Sequence, residues 1–282
     1  MDRNMTRVSP SFNLGRIAFY SFLILVTALS VFPFYWMYII GSNVTAAINQ
    51  FPPAMIPGGR FIENLIKVYE NVNFNKALMN SFFVSATLTA GVLVFCSLAG
   101  FAFAKLNFTG RHMLFAFLVG SMMVPTQLGL IPSYMIISKL GWLDDLRAVI
   151  IPGIANAFGI FWMRQYISSS VPNELLEAGR IDGCSTFRLF CSIVVPAIRP
   201  GFATLGIITF MGSWNDFLWP LVVLKDRSVH TVQIALKNLN GAYYQDFSMI
   251  LAGTVLATLP ILVIFLLFSK QFISGLTEGA VK

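Results

Sequence analysis

Residues able to do chemistry are scarce in this chain, and they gather in two places. The first is a set of polar groups inside long apolar runs: Asp216 with Asn215 beside it, and, further upstream, Gln127 and Asn156. A carboxylate at the centre of a bilayer costs about 2.5 to 3.5 kcal/mol on insertion scales, so Asp216 is expected to face a bundle interior or a water-filled cavity. Such groups can line a path or gate for a hydroxyl-rich solute, with Trp214, Trp162 or Tyr134 offering a stacking face. They can equally hydrogen-bond across helices as packing contacts. The second place is a polar stretch, 171–200, that interrupts the apolar runs. Catalytic machinery is missing from the sequence. It holds no H-E-x-x-H, no G-x-S-x-G, no two acids within one apolar run and no G-x-x-x-x-G-K-[ST] phosphate loop. Cys96, Cys184 and Cys191 are odd in number and lack metal-ligand spacing, and His112 and His230 stand alone. No catalytic residue, metal site or cofactor of its own is therefore expected.

The elements that must position these groups follow from composition. Of 282 residues, 56% are apolar and only 11% charged, with a mean hydropathy of +0.74. Soluble proteins carry about 25% charged residues, so the shortfall indicates an all-α, polytopic membrane protein and excludes a secreted disulfide scaffold, a disordered tail and a cytosolic enzyme. The net charge of +7 is dispersed through short connections, which suits lipid headgroups and argues against nucleic acid as a partner. A helix needs about 20 apolar residues to cross the hydrocarbon core, and six runs qualify: 17–40, 78–103, 113–137, 147–167, 201–224 and 248–268. The first is too long for a signal-peptide core and reads as a retained span. With both termini inside, 11 Lys and Arg fall on the inner side and 8 outside, the direction that the positive-inside rule favours. Pro125, Pro132, Pro152 and Pro220 should kink spans or free carbonyls. The chain then divides into an inner N-terminus 1–16, a first span with an outer amphipathic segment 17–77, a core 78–268 and an inner tail 269–282.

Two outer segments show helical periodicity. In 61–72, Phe61, Ile62, Leu65, Ile66, Tyr69 and Val72 share a face opposite Glu63, Lys67 and Glu70, as a helix lying on a membrane surface requires. Val232, Ala235, Leu236 and Leu239 repeat the pattern. Tyr243 and Tyr244 follow an Asn240-Gly241 turn, as candidate contacts for an outer binding protein or as aromatic-belt residues.

The inner segment 168–200 carries the sharpest signal. Pro172 suits a helix start, Glu174 and Glu177 suit its first turns, and Gly183 suits its end. Ser185 or Thr186 can cap a second helix with Phe187, Phe190, Cys191 and Val194 on one face, stopped by Pro196, and Pro200 restarts the chain into the next span. The spacing predicts two short helices joined at a glycine hinge and clamped between spans. The small residues Ala178, Gly179 and Gly183 leave room for a partner's surface. Periodicity alone equally allows a helix pair lying on the inner leaflet.

The literal residues resemble a known pattern. Glu177-Ala178-Gly179, three residues, Gly183, nine residues, Ile193, one residue and Val195-Pro196 closely resemble the EAA signature of inner-membrane permease subunits of binding-protein-dependent ABC importers. Gly179 replaces the second alanine and Val195 the leucine. Asp182 beside Gly183, the run from Trp214 to Pro220 and the tail from Ile273 to Lys282 are similar to the MalG-like carbohydrate branch of that family. The resemblance covers the chain from about residue 78 onward. It implies the permease fold of type I ABC importers in a bacterial or archaeal plasma membrane, with the hinged pair docked on a cytoplasmic ATPase dimer. Glu177 would face that ATPase and Gly183 would permit the bend. A second homologous permease, an extracytoplasmic solute-binding protein and a sugar complete the implied partners, with ATP and magnesium on the ATPase. In the maltose system the sugar site belongs mainly to the companion permease, so this chain could simply wall the cavity. An ion-coupled carrier would want several intramembrane charges, and Asp216 is the one offered; an ABC permease for glycerol phosphate remains a further alternative.

Overall fold

The computed structural model describes residues 14–241 and 245–277, and those residues form helices joined by short connections. Apolar runs make the long ones: α1 (Leu14–Gly41), then α2 (Phe61–Asn71) and α3 (Phe74–Lys105). There follow α4 (Arg111–Ser121), α5 (Leu130–Lys139), α6 (Arg147–Ile150) and α7 (Ala157–Ser170). The polar stretch gives α8 (Asn173–Ile181), α9 (Thr186–Leu189) and α10 (Val195–Ala197). The chain ends with α11 (Arg199–Asn215), α12 (Leu218–Val223), α13 (Val232–Asn238) and α14 (Phe247–Thr277).

Among the described residues three helices, Gly15–Gly41, Phe74–Lys105 and Phe247–Ser269, are long and apolar enough to cross a membrane unbroken. The other expected spans are broken. Run 113–137 bends by 94° between α4 and the turn Thr126–Gly129 that leads into α5. The break sits at Pro125, which lacks an N–H and disfavours helix in the residue before it. Run 147–167 is not one helix: α6 passes into a tight turn at Ile151–Gly153, and α7 begins afresh with Asn156 as its cap. Run 201–224 divides at Asp216 and Phe217.

α3 is the central rod, packed along α7 and α11, while α14 packs along α1, α2 and α11. Small residues allow the close approaches. A Cβ on Gly100 would meet the Arg164 backbone at 2.8 Å, and one on Gly41 the Ala252 backbone at 2.9 Å. From Gly15 to Tyr35, α1 is exposed around its whole circumference, with Tyr20, Ile24 and Leu29 among its bare side chains. A stretch this apolar and this exposed needs lipid or another subunit to cover it.

The two periodic segments differ from expectation in how much they bury. Asn64 and Val68 of α2 are buried, and Asn64 Nδ2 donates to the carbonyls of Gly41 and Asn43. Ile62, Ile66 and Tyr69 remain exposed between that buried edge and the charged edge. The apolar arc of α2 is thus split between the bundle and the outside. α13 is inserted among α3, α11 and α14, and Val232, Ile234, Ala235 and Leu239 are all buried. A helix of seven residues buried on several sides shows a one-sided periodicity too short to distinguish from a surface helix.

Candidate functional site

The polar stretch folds into an elbow. Pro172 is the residue before α8, where its missing N–H costs nothing. Gly183 closes α8 with φ +78°, a left-handed value that glycine adopts without steric cost, and its N–H reaches the Arg180 carbonyl at 3.0 Å. Ser185 Oγ then accepts from the Arg188 N–H at 3.3 Å and caps α9. The second limb widens into a π turn at Phe190–Val194, runs through Pro196 in α10 and breaks at Ile198, where the chain bends by 80° into α11. Pro196 was expected to stop this limb; it instead sits in the first turn of α10, a position that tolerates a missing donor.

The π turn shifts which side chains face inward. Leu189, Phe190 and Val194 are buried, while Phe187 and Cys191 are exposed. Leu176 of α8 joins them in a core shared with Phe101, Met163 and Ile167. Gly179 is buried as well. Its role is internal, because a Cβ there would lie 2.4 Å from Leu189 Cδ2 and 3.2 Å from Ile193 Cδ1. Opposite this seam, Glu174, Glu177, Ala178 and Ile181 form the exposed face of α8, with Asp182 and Gly183 exposed at its end. Ile181 is 87% exposed. The elbow therefore presents three carboxylates, Glu174, Glu177 and Asp182, and the Arg180 guanidinium around a bare aliphatic side chain, and is rooted by its other face.

A cavity of about 710 Å³ opens among α3, α5, α7 and the α11–α12 break. It is lined by Gln127, Asn156 and Asp216, three of the five polar-path candidates, with Thr126, Ser133, Ser213 and Trp219. Asp216 follows α11 and stands two residues before α12, with its carboxylate close to the N–H groups of Leu218 and Trp219. Asn156 Oδ1 accepts from the Gly159 N–H at 2.8 Å, and its Nδ2 donates to the Gly153 carbonyl at 3.3 Å. Gln127 is exposed on the segment that follows the 94° bend.

The other two candidates lie elsewhere. Trp214 is 1% exposed, stacks on Phe210 and donates from Nε1 to the Ala257 carbonyl at 3.2 Å. Asn215 bonds back to the Met211 carbonyl at 2.9 Å. Trp219 takes the place expected of Trp214, with its Nε1 fixed to the Ala148 carbonyl at 3.0 Å and its ring in the cavity wall. The helix break at Asp216 re-aims the chain between the two tryptophans, a signal that a run of apolar letters conceals. Trp162 donates to the Gly201 carbonyl, away from the cavity. Tyr243 and Tyr244 lie outside the described residues.

At the end opposite the elbow, polar contacts tie the connections together. Asp144, left-handed at φ +59°, accepts from the Asp226 N–H at 2.7 Å and from the Lys225 N–H. Asp246 accepts from Thr45 Oγ1, from the Met249 N–H at 3.1 Å and from Lys67 Nζ at 3.3 Å. Burial pulls the Asp246 carboxyl upward, but these bonds outweigh it and hold it below its ordinary value. Burial holds the His230 imidazole below its ordinary value.

Residues 93–272 match the family described as the binding-protein-dependent transport system inner membrane component. Over 99% of its length the chain is 34% identical to all of the arabinooligosaccharides transport system permease protein AraQ of Bacillus subtilis (strain 168). It is also 34% identical, over 95% of the chain and 97% of the relative, to the lactose transport system permease protein LacG of Rhizobium radiobacter. The crystal structure of a bacterial ABC transporter involved in the import of the acidic polysaccharide alginate has a chain that superimposes with a TM-score of 0.79. That match has 21% identity over 94% of this chain and 98% of the other, so the fold is shared.

Proposed function

The chain belongs to the binding-protein-dependent transport system inner membrane component family, and from that premise we propose that it is one of two permease subunits in an ATP-driven importer of a neutral oligosaccharide or disaccharide. As a member it is a multi-pass membrane transport component and not an enzyme. The relatives named for arabinooligosaccharides and lactose support the sugar.

The observation that carries the reading is the elbow: one face rooted in the core, the other bare, with a left-handed glycine between its limbs. In this reading six crossings with both termini in the cytoplasm place the elbow inside a bacterial or archaeal plasma membrane. There Glu177, Ala178, Asp182 and Gly183 meet an ATPase dimer that holds ATP and magnesium, while Gly179, Ile193 and Pro196 shape the limbs. A homologous permease covers part of the bare α1, and a solute-binding protein delivers sugar from the outside, with Tyr243 and Tyr244 as candidate contacts. ATP binding biases the pair between inward-open and outward-open shapes.

The cavity favours an uncharged solute. Hydroxyls, amides and the Trp219 ring suit sugar, and no Lys, Arg or His is among the residues that line it. Glycerol phosphate would meet Asp216 with no cation among the lining residues to offset the repulsion. Gln127, Asn156 and Asp216 are proposed as wall, with Trp214 and Asn215 bracing the helix behind it.

Reconstitution of the four kinds of chain in proteoliposomes tests the reading. Uptake should require ATP and the binding protein. Glu177→Lys should leave the complex assembled while solute transported per ATP falls about tenfold, the scale of losing a charge-assisted contact at a dock. Uptake that follows a proton gradient and ignores ATP depletion would identify a secondary carrier instead.

A further inference from the structure

The elbow is rooted in the bundle mainly by apolar contacts, and a lysine side chain hydrogen-bonds its first helix to a span. Lys105 is the last residue of α3. Its Nζ donates to the Val171 carbonyl at 2.5 Å and to Asn173 Oδ1 at 2.9 Å, and the Glu174 carboxylate adds attraction. Val171 closes α7, and Asn173 opens α8. The ammonium thus sits where the C-terminal ends of α3 and α7 converge, which their dipoles favour, and it holds the first turn of the elbow there.

The other end of α3 is fastened too. Asn80 Nδ2 donates to the carbonyls of Ser228 at 3.1 Å and His230 at 3.0 Å, and Ser81 Oγ accepts from the Val232 N–H at 2.8 Å. These acceptors and donor lie on the segment that leads into α13, which is inserted among the spans. Between the two fastenings Leu88 backs the cavity and Ser85 Oγ bonds Ser213 Oγ at 3.2 Å. At 1.5 Å per residue, Ser81 and Lys105 are about 36 Å apart along the rod.

We propose that Lys105 is a positioning residue that makes α3 the transmission rod of the subunit. Displacement of the elbow is delivered through Lys105 to α3, and by Asn80 and Ser81 to the segment around Ser228–Val232 at the far mouth. The proposal rests on the importer reading above and adds to it the route by which elbow motion reaches the opposite side of the membrane.

The complete complex in proteoliposomes provides the test, with solute transported per ATP hydrolysed as the primary readout. Lys105→Met keeps a stem of similar length and removes the donors. Copurification and basal ATP hydrolysis should stay within about twofold of wild type, while the transport-to-ATP ratio falls about tenfold, the scale expected from losing two charge-assisted bonds. Lys105→Arg, which still offers a charged donor to two acceptors, should retain the ratio within about twofold. Should Lys105→Met not assemble, Asn173→Ala, which removes one acceptor and leaves the charge, should lower the ratio to an intermediate value. A wild-type ratio in Lys105→Met overturns the proposal. So does an equal fall in transport and hydrolysis, or a loss in Lys105→Arg as deep as in Lys105→Met. Failure of the wild-type complex to couple uptake to ATP would instead refute the importer reading.

Discussion

Gly179 stands where the family signature has its second alanine, and Leu189 occupies the space that the alanine methyl would fill. The seam of the elbow is therefore built small on α8 and large on α9. In the native background Gly179→Ala gains about 1 kcal/mol of helix propensity and loses about 1 to 3 kcal/mol to overpacking, so its net sign says little. The informative background is Leu189→Ala, which should cost about 2 to 5 kcal/mol alone. There the added methyl enters vacated space, and Gly179→Ala should recover about 1 kcal/mol. Thermal unfolding of the purified complex measures both, and no recovery would mean that the two residues do not oppose each other. The tryptophans give a second contrast. Trp214→Ala should cost about 3 to 5 kcal/mol and lower the yield of assembled complex. Trp219→Ala should spare assembly and weaken uptake; normal uptake would remove that ring from the path. The positions of Glu177, Ala178 and Gly183 were legible in the sequence because a turn needs a left-handed residue and an amphipathic helix needs a polar face. The exchange of Trp219 for Trp214 was not, since it depends on a helix break that apolar letters do not mark.

At the scale of elements, hydropathy reveals how much chain is apolar and says little about whether it is continuous. Pro125 and Pro152 marked two breaks in advance, whereas the break at Asp216 and Phe217 has no proline before it to announce it. On the second limb Phe190 and Val194 face inward as the period predicts and Leu189 joins them, while Phe187 and Cys191 stay exposed, because the extra rotation of the π turn at Phe190–Val194 is invisible to a fixed period. One junction at the far end is held by side chains of opposite charge, and there the pH dependence can be stated. Asp246 ties the start of α14 to α2 through Lys67 and to the turn at Thr45–Asn49. Its carboxyl is held below the ordinary value, so its contribution is complete above about pH 4 and is lost as pH falls through the depressed value. Asp246→Asn should lower stability by about 1 kcal/mol at neutral pH, a modest figure because Lys67 is half exposed. The gap between variant and wild type should close on acidification below the ordinary carboxylate range. A gap that persists unchanged there would show that packing, not charge, fixes the junction.

At the scale of the whole molecule, the core that seats the elbow and the walls of the cavity share one rod. Phe101 and Val92 of α3 belong to the elbow's core, and Leu88, one turn from Val92, lines the cavity. An elbow rooted this way cannot swing without disturbing the path, provided that it lies on the side of the membrane where nucleotide is found. The native cysteines test that orientation without new labels on the surface. Cys191 is exposed on the outer side of the second limb, Cys184 is half-buried at the hinge and Cys96 is buried between α3 and α7. Cys96 is out of reach of a water-borne reagent, because it is buried within a helix long and apolar enough to span. A membrane-impermeant maleimide should therefore label Cys191 in inverted vesicles and leave it unlabelled in right-side-out vesicles, with Cys191→Ser abolishing most of the signal. Addition of the ATPase should slow labelling if the docked subunit shades the limb. Labelling confined to right-side-out vesicles would put the elbow outside, where no ATPase can grip it, and the coupling of rod, cavity and elbow would lose its source of energy.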